Sequence, residues 1–230
     1  MDKLHIDQHI SQKFNQEIEG IRSHLMAMGG LVEKQVNEAI KAVEEANSEI
    51  AQSVLDAEPK IDRMEVDIDE ECTNLIARRQ PTASDLRMVL SVSKMIRDLE
   101  RIGDEANKIG KMAIILSEEG ASPRGHMEVR HIGDSVESML HDALDAFARY
   151  DTEMALEVMS RDQKINIEYK TALRELITYM MEDSRSISRV LNILWTLRAL
   201  ERIGDHAKNI CEQVVYLVKG RDIRHEQDHY

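Results

Sequence analysis

Leu99-Glu100-Arg101-Ile102-Gly103-Asp104-Glu105-Ala106 returns in the second half of the chain as Leu200-Glu201-Arg202-Ile203-Gly204-Asp205-His206-Ala207, and the two stretches differ only in their seventh residue. The flanking residues, 97–111 and 198–212, continue the match, so the chain is internally duplicated. A length of 230 residues then suits two similar halves, each long enough to bury a core. Each copy sets Glu four residues before Asp (Glu100 with Asp104, Glu201 with Asp205), which on a helix stacks two carboxylates on one face. Like charges stacked this way repel. A repulsive pair at equivalent positions of both halves calls for a compensating positive charge, and the candidates are a basic side chain and a metal ion.

Composition narrows the fold and the chemistry. Hydrophobic residues make up 42% of the chain but aromatics only 3%, leaving Leu, Ile, Val, Met and Ala to fill the interior. Such a core suits helices packed on helices, whereas sheets draw on aromatic and Thr-rich pairs. A formal charge of −13 argues against direct nucleic-acid binding, which depends on Lys and Arg neutralising phosphates. Cys72 and Cys211 lie far apart, neither in a C-x-x-C, and read as small buried hydrophobes. The charged N-terminus lacks the apolar centre of a signal peptide, and no apolar run reaches the roughly 20 residues of a membrane span. The sequence reads as cytoplasmic.

All three prolines, Pro59, Pro81 and Pro123, read as punctuation between amphipathic stretches. The first helix is expected over about residues 7–56, with Val36, Ile40, Val43, Ile50 and Val54 on one face and an interruption at Gly29-Gly30. A second follows over 60–79. A third runs from a capping box at Thr82 and Asp85 to about 117. Residues 120–125 read as the boundary between halves, after which the pattern restarts. Leu140, Leu144, Phe147, Met154 and Val158 repeat the face of the first helix, and Ile165, Leu173, Leu176 and Met180 that of the second. The last helix is expected over 184–219. The expectation is an all-α chain of six long helices in two tandem three-helix bundles, residues 1–120 and 121–220, with a polar tail over 221–230.

On the wheel of the first copy the apolar stripe is Leu99, Ile102, Ala106 and Ile109, so Glu100, Asp104, Asn107 and Lys111 read as accessible and Glu105 as a surface acid. The bland explanation of the acids is a solvated face with Arg101–Asp104 and Asp104–Lys108 salt bridges. A further Glu-x-x-x-Asp at Glu65 and Asp69, with Glu58 and Asp62 a turn earlier, could bring more carboxylates to the same surface. Carboxylate oxygens suit Mg, Mn, Ca, Fe or Zn, and the shortage of nearby His and Cys argues against a closed structural zinc site. His206 is the one imidazole placed to alter the second copy. Gly103 and Gly204 read first as close packing points and second as backbone room for an ion or partner. The ferritin-like signature needs Glu-x-x-His on two inward-facing helices, and Glu226 and His229, which fit the spacing, lie in the tail; no nucleophile elbow, Walker loop or Cys/His nucleophile is visible.

The duplicated motif, together with Arg79-Gln80-Pro81-Thr82-Ala83-Ser84-Asp85-Leu86-Arg87, closely resembles the bacterial PhoU family of phosphate-transport accessory and signalling regulators. The resemblance extends through residues 24–32, 64–71, 140–151 and 179–185. It implies two three-helix bundles carrying acidic metal motifs, with Glu100, Asp104, Glu201 and Asp205 as metal candidates and Glu65 and Asp69 weaker ones. The counterpart of Glu65 is then Glu168, with Ala172 replacing the following acid. It also implies a homodimer in the cytoplasm whose partners are the phosphate sensor histidine kinase and the ATPase subunit of the phosphate ABC transporter. There the family holds the kinase quiet when phosphate is plentiful and meets the membrane only through its partners. The alternative is a carboxylate-bridged metalloenzyme or metal-storage helical protein in which a metal activates water.

Overall fold

In the computed structural model, residues 12–119 and 125–223 are described. They form α1 (Gln12–Glu44), α2 (Ser48–Arg79), α3 (Ala83–Glu118), α4 (His126–Arg149), α5 (Thr152–Glu182), a 3-10 turn (Ser184–Ser186) and α6 (Ile187–Lys219). Among the described residues there is no strand, and no helix is long and apolar enough to cross a membrane. The all-α expectation of six long helices therefore holds. Residues 120–124 of the expected boundary at 120–125, the start of the first helix at 7–11 and the Glu226–His229 pair lie outside the described residues.

The helix boundaries differ from the sequence reading at one place in each half. The first helix does not run to residue 56 but ends at Glu44, and α2 starts at Ser48. Ala46 takes a left-handed φ of 47°, with Ala46 N–H bonded to the Val43 carbonyl at 3.3 Å and Asn47 N–H to the Ala42 carbonyl at 3.0 Å. These are the two hydrogen bonds of a Schellman cap. Asn47 then caps the next helix by accepting from the Glu49 and Ile50 N–H groups. The same turn recurs at Tyr150 (φ 54°) and Asp151, which accepts from Glu153 and Met154, so Met154 and Val158 belong to α5 rather than to the helix before it.

Two further expectations are corrected. Pro59 lies inside α2 rather than between helices: it is exposed, and Val54, Ile61, Ile68, Cys72 and Leu75 anchor the helix on either side of the hydrogen bond it cannot make. Thr82 precedes α3 without a side-chain cap bond, and Asp85, expected to complete a capping box, is instead buried at 2% exposure. Gly29-Gly30 causes no break; α1 is continuous through it.

α1, α2 and α3 pack on one another, as do α4, α5 and α6, and among the described residues the halves meet through α1 on α4 and α3 on α6. The four helices α1, α3, α6 and α4 thus close a ring, with α2 flanking α1 and α3 on one side and α5 flanking α4 and α6 on the other. One apolar core runs continuously from Phe14 to Leu217 through both halves.

The α1–α4 contact is the same contact made twice. A Cβ on Gly29 would stand 2.8 Å from the Leu144 side chain, and one on Gly133 would stand 3.0 Å from Ile40. Counted from the two capping turns, Gly29 matches Gly133 and Ile40 matches Leu144. The polar rim obeys the same pairing, with Asn37 donating to Glu137 at 2.7 Å and His141 bonded to Glu33 at 2.8 Å. Arg22 reaches the Ala148 carbonyl just as His126 reaches the Glu44 backbone.

The α3–α6 contact carries buried charge. Glu105, expected at the surface, is 3% exposed and takes Lys108 at 2.9 Å and Arg202 of the other half at 2.8 Å. Its burial comes from α6, which its own helix's periodicity cannot show. Asp98 is likewise held across the contact by His206 at 2.9 Å and Asn209 at 3.0 Å. The two glycines of the α1–α4 contact set the closeness of the halves there. Gly29→Val and Gly133→Val should each lower stability by about 1–3 kcal/mol through overpacking, read as a lower urea midpoint with helicity kept in the absence of denaturant. Unchanged midpoints in both would show that the contact is not tight.

Candidate functional site

The motif acids sit on the flank of α3 that faces α2. Glu100 and Asp104 are half-buried, not fully accessible. Burial pushes the Glu100 carboxyl above its ordinary value, and the carboxylates of Asp104, Glu65 and Asp62 push it further, with only Arg101 opposing. The antiparallel packing of α2 on α3 therefore brings Glu65 and Asp62 to the motif. Asp69 does not join them. It accepts a 2.7 Å hydrogen bond from Ser93 and ties α2 to α3 there.

The salt bridges expected of a solvated face are not made. Lys108 turns to Glu105 rather than to Asp104. Among the described residues, Glu65, Glu100 and Asp104 have no cation within ion-pair distance. Asn107, expected to be accessible, is 2% exposed, and its Oδ1 accepts no hydrogen bond. It fills the α3 position at which the second copy carries Lys208.

The second copy is compensated from within. Glu201, 7% exposed, receives a 2.6 Å hydrogen bond from Arg198. Burial and the neighbouring Asp205 still raise its carboxyl, with Arg198 opposing. Burial and Asp162 raise Asp205, against Arg198, His206 and Lys208. Asp162 of α5 is itself paired with Lys208 at 3.2 Å. Periodicity did not single out Asp162, Arg198 or Lys208; the replacement of Asn107 by Lys208 between the two copies was the available signal. Glu168, expected to stand in for Glu65, instead pairs with His131 of α4 at 3.2 Å and Lys164 at 3.7 Å. His206 turns across to Asp98 of α3.

Gly103 and Gly204 face the interior, not the acids. A Cβ on Gly103 would meet Gln35 Oε1 at 3.2 Å and Ile61 at 3.4 Å, whereas Gly204 has ordinary room, with Ile165 at 3.7 Å. The first is a close packing point and neither opens space for an ion. Burial pushes the Cys72 and Cys211 thiols up to about 12, so both stay protonated and unreactive at neutral pH.

Among the described residues, no three His, Cys, Asp or Glu side chains converge closely enough to hold a metal as they stand. The donor sets nevertheless differ. Glu100, Asp104 and Glu65 are mutually repelling carboxylates without a cationic partner, a set of hard oxygens that fits Mg, Mn, Ca or Fe and tolerates Zn. Glu201 and Asp162 are already neutralised by Arg198 and Lys208, so a cation fits there only by displacing them.

A family model described as the PhoU domain matches residues 25–113 and again 129–214, one match per half. The phosphate-specific transport system accessory protein PhoU homolog of Pseudomonas putida is 63% identical over 98% of this chain and 88% of its own length. The phosphate-specific transport system accessory protein PhoU of Escherichia coli strain K12 is 47% identical over 98% of this chain and 93% of its own. The crystal structure of PhoU from Pseudomonas aeruginosa superposes with a TM-score of 0.89 at 62% identity, covering 90% of this chain and all of that one.

The raised Glu100 carboxyl has a stability consequence of definite sign. The folded state holds this proton more tightly than the unfolded state, so the group's contribution is fully present below the ordinary carboxylate pKa and is lost as pH rises through the raised folded value. Glu100→Gln removes the repulsion and should raise the melting temperature at pH 7 by about 0.5–2 °C, the worth of a like-charged helical pair. The gain should vanish below about pH 4, where the carboxyl is protonated in both states. A variant less stable than wild type at pH 7 would contradict this reading.

Proposed function

The chain belongs to the PhoU family, and from that membership we propose that it is a non-enzymatic accessory of phosphate-specific transport that also holds the phosphate sensor kinase in its quiet state when phosphate is plentiful. The observation that carries the proposal is the likeness, over 98% of the chain, to relatives whose names describe accessory proteins of that transport system. Its proposed partners are the sensor histidine kinase and the ATPase subunit of the transporter, and it works in the cytoplasm as a homodimer. The helical scaffold supports this reading in that its buried acids hold helices together: Glu105, Asp98 and Asp162 each face a cation or an amide of a neighbouring helix.

An adaptor of this kind acts only through a difference in affinity. A ligand that binds two kinase states equally shifts nothing, and each tenfold preference for the quiet state is worth about 1.4 kcal/mol of bias. We assign the first-copy acids Glu100, Asp104 and Glu65 as a weak cation site, with Glu201 and Asp205 weaker because Arg198 occupies Glu201. Asp69 is committed to Ser93 and contributes least. A cation there would neutralise the facing carboxylates of α2 and α3 and stiffen that flank of the bundle.

Deletion of the gene should switch phosphate-starvation genes on in phosphate-rich medium, read with a reporter from one of their promoters, and the wild-type gene should restore repression. Repression that persists in the deletion strain, with no binding of the purified chain to the kinase or the transporter ATPase, would remove the regulatory reading. Turnover of phosphoesters, or of ferrous iron with oxygen, would then favour the metalloenzyme alternative.

A further inference from the structure

The outward face of α3 and α6 is unlike the rest of this acidic molecule. Between residues 90 and 115 of α3, every exposed charged residue is basic: Lys94, Arg97, Arg101, Lys108 and Lys111. Leu90 (39% exposed) and Ile115 (40%) stand at the two ends of that row. On α6 the exposed residues from 187 to 198 are Ile187, Ser188, Leu191, Trp195 and Arg198, again without an acid. In a chain of formal charge −13, Glu105 and Glu201 are buried and Asp98 is taken by His206 and Asn209, which leaves half-buried Asp104, between Arg101 and Lys108, as the acid within the row, with exposed Glu118 and Glu119 just beyond Ile115.

Both rows open on the same side of the molecule. α1 and α4 close the ring from below, and α2 and α5 cover the flanks, so the free sector of α3 and that of α6 look in one direction. A 3.1 Å hydrogen bond from Ser188 to Glu119 sets the start of α6 against the end of α3, which joins Ile115 to the stripe of Ile187, Leu191 and Trp195. Trp195 is 64% exposed. The outcome is a basic row about 38 Å long on α3 at 1.5 Å per helical residue, with Leu90 at one end and, at the Ile115 end, the shorter apolar stripe of α6 beside it.

We propose that this face docks on an anionic phospholipid surface. Charge complementarity selects the occupant: the exposed Lys and Arg meet lipid phosphates within a Debye length of about 8 Å, inside which the acids on the far side of the molecule are screened. Trp195 and Leu191 protrude, so they need a partner that yields to them. The headgroup and upper acyl region of a bilayer does so, and it is where Trp settles with its apolar body down and its N–H in contact with water. A protein partner would have to supply separate pockets at both ends of a row of this length. The inference stands apart from the regulatory reading, since purified chain and vesicles report on the face alone.

Trp195 is the only tryptophan of the chain, so its fluorescence reports directly from the face. The intact protein is mixed with vesicles of phosphatidylglycerol and phosphatidylethanolamine, and separately with phosphatidylcholine vesicles. The expected result is a blue shift of Trp195 emission and co-sedimentation with the anionic vesicles only, both weakening as salt rises. The doubly reversed variant Arg97→Glu/Lys111→Glu should bind at least about tenfold more weakly, and Leu191→Asp should abolish the blue shift. Lys34→Glu, on α1 of the opposite side, should bind like wild type. Circular dichroism checks that the variants remain folded; should Leu191→Asp unfold, the charge-reversed pair decides. No shift with anionic vesicles, equal binding to phosphatidylcholine, or full binding by the charge-reversed variant would overturn the proposal. A shift seen only on adding purified transporter ATPase or kinase, never with vesicles, would overturn it too and give the face to a protein.

Discussion

A carboxylate buried to 3% exposure must be paired, and Glu105 is paired by Lys108 of its own helix and by Arg202 of the other half. That requirement ties α3 to α6, since leaving the buried Glu105 carboxylate without its cations would cost more than most packing defects. With Asp98 held by His206 and Asn209 farther along, the register of the two helices is set at two points. Much of the remaining architecture follows from this register. α1 and α4 are brought together beneath, close enough that Gly29 and Gly133 are needed, and α2 and α5 are left on the flanks. Buried ion pairs are weak sources of net stability, and here their contribution is to select one arrangement of two similar halves.

The duplication supplies a controlled comparison. One backbone plan is used twice, down to the Schellman turns at Ala46 and Tyr150 and the capping side chains of Asn47 and Asp151. On that shared plan the stacked acids meet different surroundings. The second copy carries Arg198 against Glu201 and Lys208 against Asp162, whereas the first carries Asn107 where Lys208 would be and leaves Arg97 at the surface. A basic side chain and a metal ion were the two ways to offset such a pair. The second half uses the first way, and in the first half, among the described residues, no basic side chain reaches the acids.

The fold class was legible because apolar residues recur at helical spacing in both halves and because the motif repeats. The turns at 45–47 and 150–151 were not, since Ala46 and Tyr150 occupy left-handed positions that Gly or Asn usually announces, and Pro59 offered a stronger but misleading stop signal. Of the candidate site, the stacking of Glu100 on Asp104 and the approach of Glu65 could be read from spacing. The departure of Asp69 to Ser93 depends on α2–α3 register and could not. Glu105 was misread because an acid three residues before a lysine on a polar flank looks solvated. Only the arrival of α6 buries it, and no pattern within α3 carries that information.

The account rests on the claim that the two halves share a backbone but differ in how their acids are compensated. Manganese titration of the intact protein, followed by electron paramagnetic resonance of the free ion, tests it most directly. The account predicts weak binding that Glu100→Gln/Asp104→Asn removes and Glu201→Gln/Asp205→Asn leaves largely intact. Equal loss in both pairs, or loss confined to the second, would contradict it.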